Sequence, residues 1–123
     1  MPKSTYLRNA VLSAVFKNAS LVVAQAYLSL HTADPGLTGT SEVSGGSYAR
    51  QAITMGTVSA GSVANTVLIA FDSMPAATVT HVGVWSASTA GDFLYGKSVT
   101  SSKTYGAGDR AEVATGALTA TET

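Results

Sequence analysis

Two histidines are the side chains best suited to acid–base or metal chemistry here. His31 stands three residues before Asp34, and His81 lies inside the apolar run VTHVGVW. A Ser–His–Asp relay needs its three groups within hydrogen-bond reach of one another. Serine is so abundant in this sequence that one near a histidine carries no information. Each histidine therefore reads as a strand residue with a hydrogen-bonded ring. His31, His81 and Asp34 are acceptable zinc ligands by type, yet nothing in their spacing supports a site. Asp34 with Glu42, or Asp109 with Glu112, could imitate a glycosidase carboxylate pair. Acids at turns are ordinary, since Asp hydrogen-bonds its own backbone there. Gly45-Gly46 has neither the lysine nor the helix start of a phosphate loop behind it, and reads as a hinge. Tyr27, Tyr48, Trp85, Phe93, Tyr95 and Tyr105 would stack on sugars if exposed. Strand aromatics more often pack across strands; Trp85 and Phe93 are expected in the core, while Tyr48 and Tyr105 flank polar turns. No enzyme is expected, and no catalytic, cofactor-binding or metal-binding residue is assigned.

The stretch from Tyr27 to Met55 organises the rest. Leu28 and Leu30 alternate with Ser29 and His31, the period of a half-buried strand. Asp34-Pro35-Gly36-Leu37 suits a type II turn, because proline presets φ and glycine accepts a positive one. A polar segment with Glu42 runs to Gly45-Gly46, and Tyr48 to Met55 is expected to return as a strand. Hairpin loops usually take two to five residues, and longer ones tend to be functional or disordered. The Asp34–Gly46 loop also holds apolar Leu37 and Val43, which a solvated loop would not require. It is expected to project as a contact arm, with Pro35, Gly36, Leu37, Glu42, Val43 and Tyr48 as partner-binding residues.

Ser4 suits a helix N-cap, and Leu7, Ala10, Val11, Ala14 and Val15 fall on one helical face. That predicts a helix over about residues 4–18, laid on the domain's own sheet or on a neighbour. Gly56 to Asn65 reads as a connection, and Val67 to Phe71 as a short strand. Val79 to Trp85 and Phe93 to Thr100 form a hairpin about the Thr89–Asp92 turn, with Val82 and Val84 opposite Val79. Ala111 to Leu118 follows a turn at Gly106–Asp109. The polar tail 119–123 is expected to fray or lie along a neighbour. The fold class is mainly β: a small β-sandwich or barrel-like single domain, 1–123, with one N-terminal α-helix and a β region over about 24–118.

Composition narrows the partners. Only 11% of residues are charged, against about a quarter in ordinary domains. Seven basic and seven acidic residues are interleaved, so the phosphate neutralisation that drives nucleic-acid binding is missing. The chain has no cysteine. No signal peptide is read at its start, and no apolar run approaches the roughly 20 residues of a membrane span.

The order LSLHTADPG, GGSYARQ, TVTHVGVWSASTAGDFLYG and SSKTYGAGD resembles a family of small tailed-bacteriophage virion proteins, loosely labelled tail-fibre or minor structural proteins. The resemblance spans roughly Tyr6 to Leu118. It implies a non-enzymatic virion component, made in the bacterial host cytoplasm, with no cofactor. Such proteins tend to close on a strand of β-branched apolar residues, where this chain has ALTATET. The expected role is a capsid decoration (cement) protein on the outer face of the head shell. Its partners would be the major capsid protein or other virion proteins, without nucleic acid or membrane. A trimer would gain avidity from weak contacts acting together. The alternative is a tail or fibre component, including a host-surface carbohydrate-binding module.

Overall fold

Residues 2–122 are described in a computed structural model. The helical period before Asn18 and the strand period after Ala24 both appear in it: one helix, α1 (Thr5–Phe16), precedes a mainly β chain. Ser4 caps α1, its hydroxyl accepting the Leu7 N–H at 3.0 Å. Asn18 ends it with a left-handed φ of 55°, a conformation asparagine tolerates well.

The strands are β1 (Tyr27–His31), β2 (Gln51–Ala52), β3 (Ser62–Ala64), β4 (Ile69–Phe71), β5 (Ala77–Trp85), β6 (Phe93–Tyr105), β7 (Ala111–Val113) and β8 (Thr119–Thr121). A four-stranded antiparallel sheet runs β2-β1-β5-β6, with the two-stranded ribbons β3-β8 and β4-β7 beside it. Leu28, Leu30, Val82 and Val84 of the sheet share one core with Ile69 and Phe71 of β4, Met74 and Leu118. Fully burying each such aliphatic side chain contributes about 1.5–3 kcal/mol.

Several expectations change, among them the placing of Val79 opposite Val82 and Val84 and the start of the Val67–Phe71 strand, which begins at Ile69. Tyr48 to Met55 is not one strand; only Gln51 and Ala52 pair with β1. The rest of that edge is taken by the loop, since Val43 N–H donates to Leu30 O and Thr32 N–H to Ser41 O. The 56–65 connection contains β3. The Ala111–Leu118 segment is a strand only as far as Val113. The tail does not fray, because β8 pairs with β3 in the register Ser62↔Thr121 and Ala64↔Thr119; Thr123 lies outside the described residues. Buried Asn65 anchors this ribbon. Its amide donates to Val67 O and Ala114 O, and its side-chain oxygen accepts from Leu118 N–H.

A register shift between Val79 and His81 puts Val79 in the core alongside Val82 and Val84. Across that shift the partner in β6 jumps from Lys103 to Ser98, so residues 99–102 bulge from the ladder. The near edge of β6 is covered by the chain start. Ser4 N–H donates to Leu94 O, Gly96 N–H donates to Pro2 O, and Lys3 bridges Tyr95.

Candidate functional site

β1 and β5 hold a buried chain of polar side chains. Trp85 Nε1–H donates to Ser29 Oγ at 2.9 Å, and Ser29 Oγ meets His31 Nε2 at 2.7 Å. His31 Nδ1 lies 2.7 Å from Thr40 O. A carbonyl only accepts, so Nδ1 carries the proton, Nε2 accepts from the serine hydroxyl, and the hydroxyl accepts from the indole. This sequence of donors is complete only with a neutral imidazole. Burial pushes the His31 pKa below its ordinary value, against the raising effects of the Thr40 carbonyl and Glu42. Gly83 allows the close approach: a Cβ there would stand 2.6 Å from Ser29 Oγ and 2.7 Å from His31 Nε2. His31 is fully buried with both nitrogens engaged, and so has neither proton nor lone pair for a substrate.

A second network ties the loops. Arg50 grips both oxygens of Glu42, Nε at 3.0 Å and Nη2 at 2.9 Å. Its Nη1 donates to the Ala87 and Ala90 carbonyls at 3.1 and 2.8 Å. Tyr48 donates its hydroxyl to Glu42 at 2.8 Å, accepts Leu30 N–H at 3.0 Å, and stacks on Phe71 at 5.9 Å. Burial alone would raise the Glu42 pKa, but the hydrogen bonds from Arg50 and Tyr48 outweigh it and hold the carboxyl below its usual value. Burial pushes the Tyr48 hydroxyl well above its ordinary range. Trp85 and Phe93 are buried, as expected of core residues, and meet edge to face at 5.2 Å.

The loop does not project. Pro35 is fully buried and sits where a Cβ on Gly96 would meet its Cγ at 2.7 Å. Val43 is core, Glu42 bridges His31 of β1, and Tyr48 packs inward. Gly36 is exposed, with the positive φ of 62° that its turn requires. Leu37 is exposed beside the start of α1, where its carbonyl accepts Thr5 N–H at 3.3 Å. Of the six expected contact residues, only Gly36 and Leu37 stand in the open. The loop's apolar residues mark a segment folded back onto β1, which spacing alone does not distinguish from a contact arm.

A larger exposed surface lies on α1. Leu7 is buried and Val11 packs on the core. Leu12, Val15 and Phe16 remain open, with Phe16 74% exposed, and Val22 just beyond is 82% exposed. The clue in the sequence was width: apolar residues occupy more of the helix circumference than one sheet face can cover. A groove of about 230 Å³ opens elsewhere, with Leu30, Phe71, Val79 and Val82 within it and Val99 and Val113 on its walls. Among the described residues no cluster of three or more His, Cys, Asp or Glu could hold a metal ion. No helix among them is long and apolar enough to cross a membrane.

A small mainly β domain with its loops pinned by internal polar networks has the build of a structural subunit, and the comparisons give the class: phage virion structural proteins. Over residues 2–121 the sequence matches the family described as podophage GP4 fiber I protein gp80, and the chain belongs to that family. No curated protein matches it significantly.

Proposed function

We propose that this chain is a non-enzymatic tail-fibre component of a podophage virion, working through contacts with other virion proteins and with copies of itself. The family match carries the reading, because it runs over nearly the whole domain and is to a fibre protein. It favours the tail or fibre alternative over capsid decoration, the role expected first. The non-enzymatic part is supported by His31, enclosed and bonded at both nitrogens, and by His81, whose Nδ1 is 2.8 Å from Thr80 Oγ1. Purified virions test the assignment. Antibody against the chain should label the tail, and gel densitometry should give far fewer copies than the major capsid protein. Labelling over the shell at a copy number comparable to that protein would restore the decoration role.

A further inference from the structure

We propose that residues 20–25 are an unprotected strand edge through which two copies of this chain pair antiparallel, about a twofold axis at Val22. The segment lies between α1 and β1 and reads SLVVAQ. Among the described residues its backbone makes no hydrogen bond; the nearest are Ala19 N–H to Ser13 O and Ile53 N–H to Ala26 O. Residues 19–23 form no helix, turn or bend. Val23 packs against the core while Val22 stands open, the alternation of a strand. Gln25 pins the end nearer β1, its side-chain amide donating to Ala26 O and Ile53 O at 2.9 and 2.8 Å.

Natural sheets blunt an open edge with charge, proline, a bulge, shortness or a covering segment. The other edges of this molecule follow that rule. The chain start covers the near half of β6, residues 99–102 bulge from its far half, and β1 is closed by β2 and the loop. β2, β3, β4, β7 and β8 are only two or three residues long. Residues 20–25 have no charge, no proline and no paired segment. A lipid surface is the wrong partner, because hydrocarbon would leave these backbone groups unsatisfied. A second backbone is needed, and each copy carries the matching edge. Residues 18–33 contain no Asp, Glu, Lys or Arg, so self-pairing meets no like charge along the ladder. Antiparallel pairing about Val22 sets Ser20 opposite Ala24 and Leu21 opposite Val23, and sends the two Lys17 side chains to opposite ends. Parallel pairing would set them side by side, and like charges in contact disfavour a complex. Leu12, Val15 and Phe16 stand open on the helix that leads into the segment and add apolar surface at its start. Such a contact is isologous and closes as a dimer.

The inference deepens the contact between copies in the fibre reading. Purified protein tests it, whereas virion labelling tests that reading, so either fails without the other. Analytical ultracentrifugation of the full chain should show a concentration-dependent dimer. Val22→Pro deletes an N–H that has no partner among the described residues, and Val22→Lys adds the charge with which natural edges are blunted. Each should weaken the dimer at least about tenfold, as for loss of an anchor at the centre of an interface. Both should keep the wild-type circular dichroism spectrum. Cysteine cross-linking reads the register, since the chain has no cysteine of its own. Residues directly opposed in an antiparallel pair lie within disulfide reach. Val22→Cys should therefore give a covalent dimer on mild oxidation, whereas Ser20→Cys and Ala24→Cys should cross-link only when mixed. A chain that stays monomeric at all concentrations overturns the proposal. So does a dimer that survives both Val22→Pro and Val22→Lys, or a cross-link in Ser20→Cys alone, which would mean parallel pairing. A dimer in which Val22→Cys stays reduced overturns it equally, because the contact then lies on another face.

Discussion

The Arg50 guanidinium lies 3.7 Å from the centre of the Trp85 ring while it holds both carboxylate oxygens of Glu42. One side chain thereby joins the loop after β1, the start of β2 and the hairpin between β5 and β6. Lysine carries the same charge but lacks the planar fork and stacks less well. Arg50→Lys should lower stability by about 1–3 kcal/mol, the scale of charge-assisted hydrogen bonds. Urea unfolding would read this as a lower midpoint with an unchanged slope.

Trp85→Ala removes the ring under Arg50, the edge contact with Phe93 and the donor to Ser29. Truncating a large buried aromatic costs about 3–5 kcal/mol. The variant should unfold at much lower denaturant and express poorly. A normally stable variant that only loses partner binding would instead place Trp85 at an interface.

His31 gives stability a pH dependence. Its folded pKa is lowered from 6.5, so the unfolded chain takes up the proton first as pH falls. Its contribution is full above about pH 6.5 and is lost as pH drops through the lowered folded value. Glu42, lowered from 4.5, adds a second loss: its contribution is full above that value and disappears as pH falls through the folded one. Urea midpoints should be flat near neutrality and decline in these two steps. His31→Gln should remove the upper step and leave the lower.

Replacing Asp34–Gly46 by Gly-Gly should unfold the domain. The excision removes Pro35 and Val43 from the interior, Thr40 O from His31 and Glu42 from Arg50. A contact arm would come away cleanly, leaving native circular dichroism and thermal unfolding.

What was legible in the sequence was local. Ser4 and the 3.6-residue period mark α1, and the alternation about Leu28, Val84 and the Thr89–Asp92 turn marks β1, β5 and β6. The edge-to-face pair of Trp85 and Phe93 follows from their places across that turn. The partner of each strand edge was not legible, because a ladder is made by backbone groups common to every residue. Hence β8 forms from Thr119, Ala120 and Thr121, with little apolar side chain to announce it. Val43 reads equally as an exposed contact or as a core residue until the loop's path is known. Periodicity shows that α1 has an apolar face but not that Leu12, Val15 and Phe16 are left uncovered.

Lys3 and Glu122 form an ion pair, and Glu122 also accepts the Tyr95 hydroxyl at 2.9 Å. Burial and that hydrogen bond push the Tyr95 pKa up to about 12. The two ends of the described chain thus meet at one corner, both in contact with Tyr95, and the backbone is nearly a closed circuit. A short flexible linker could join them, with new ends opened in the exposed turn at Gly106–Gly108 between β6 and β7. Such a circular permutant would keep every ladder of the sheet, and anything fused next to Lys3 or Glu122 would leave from the same corner.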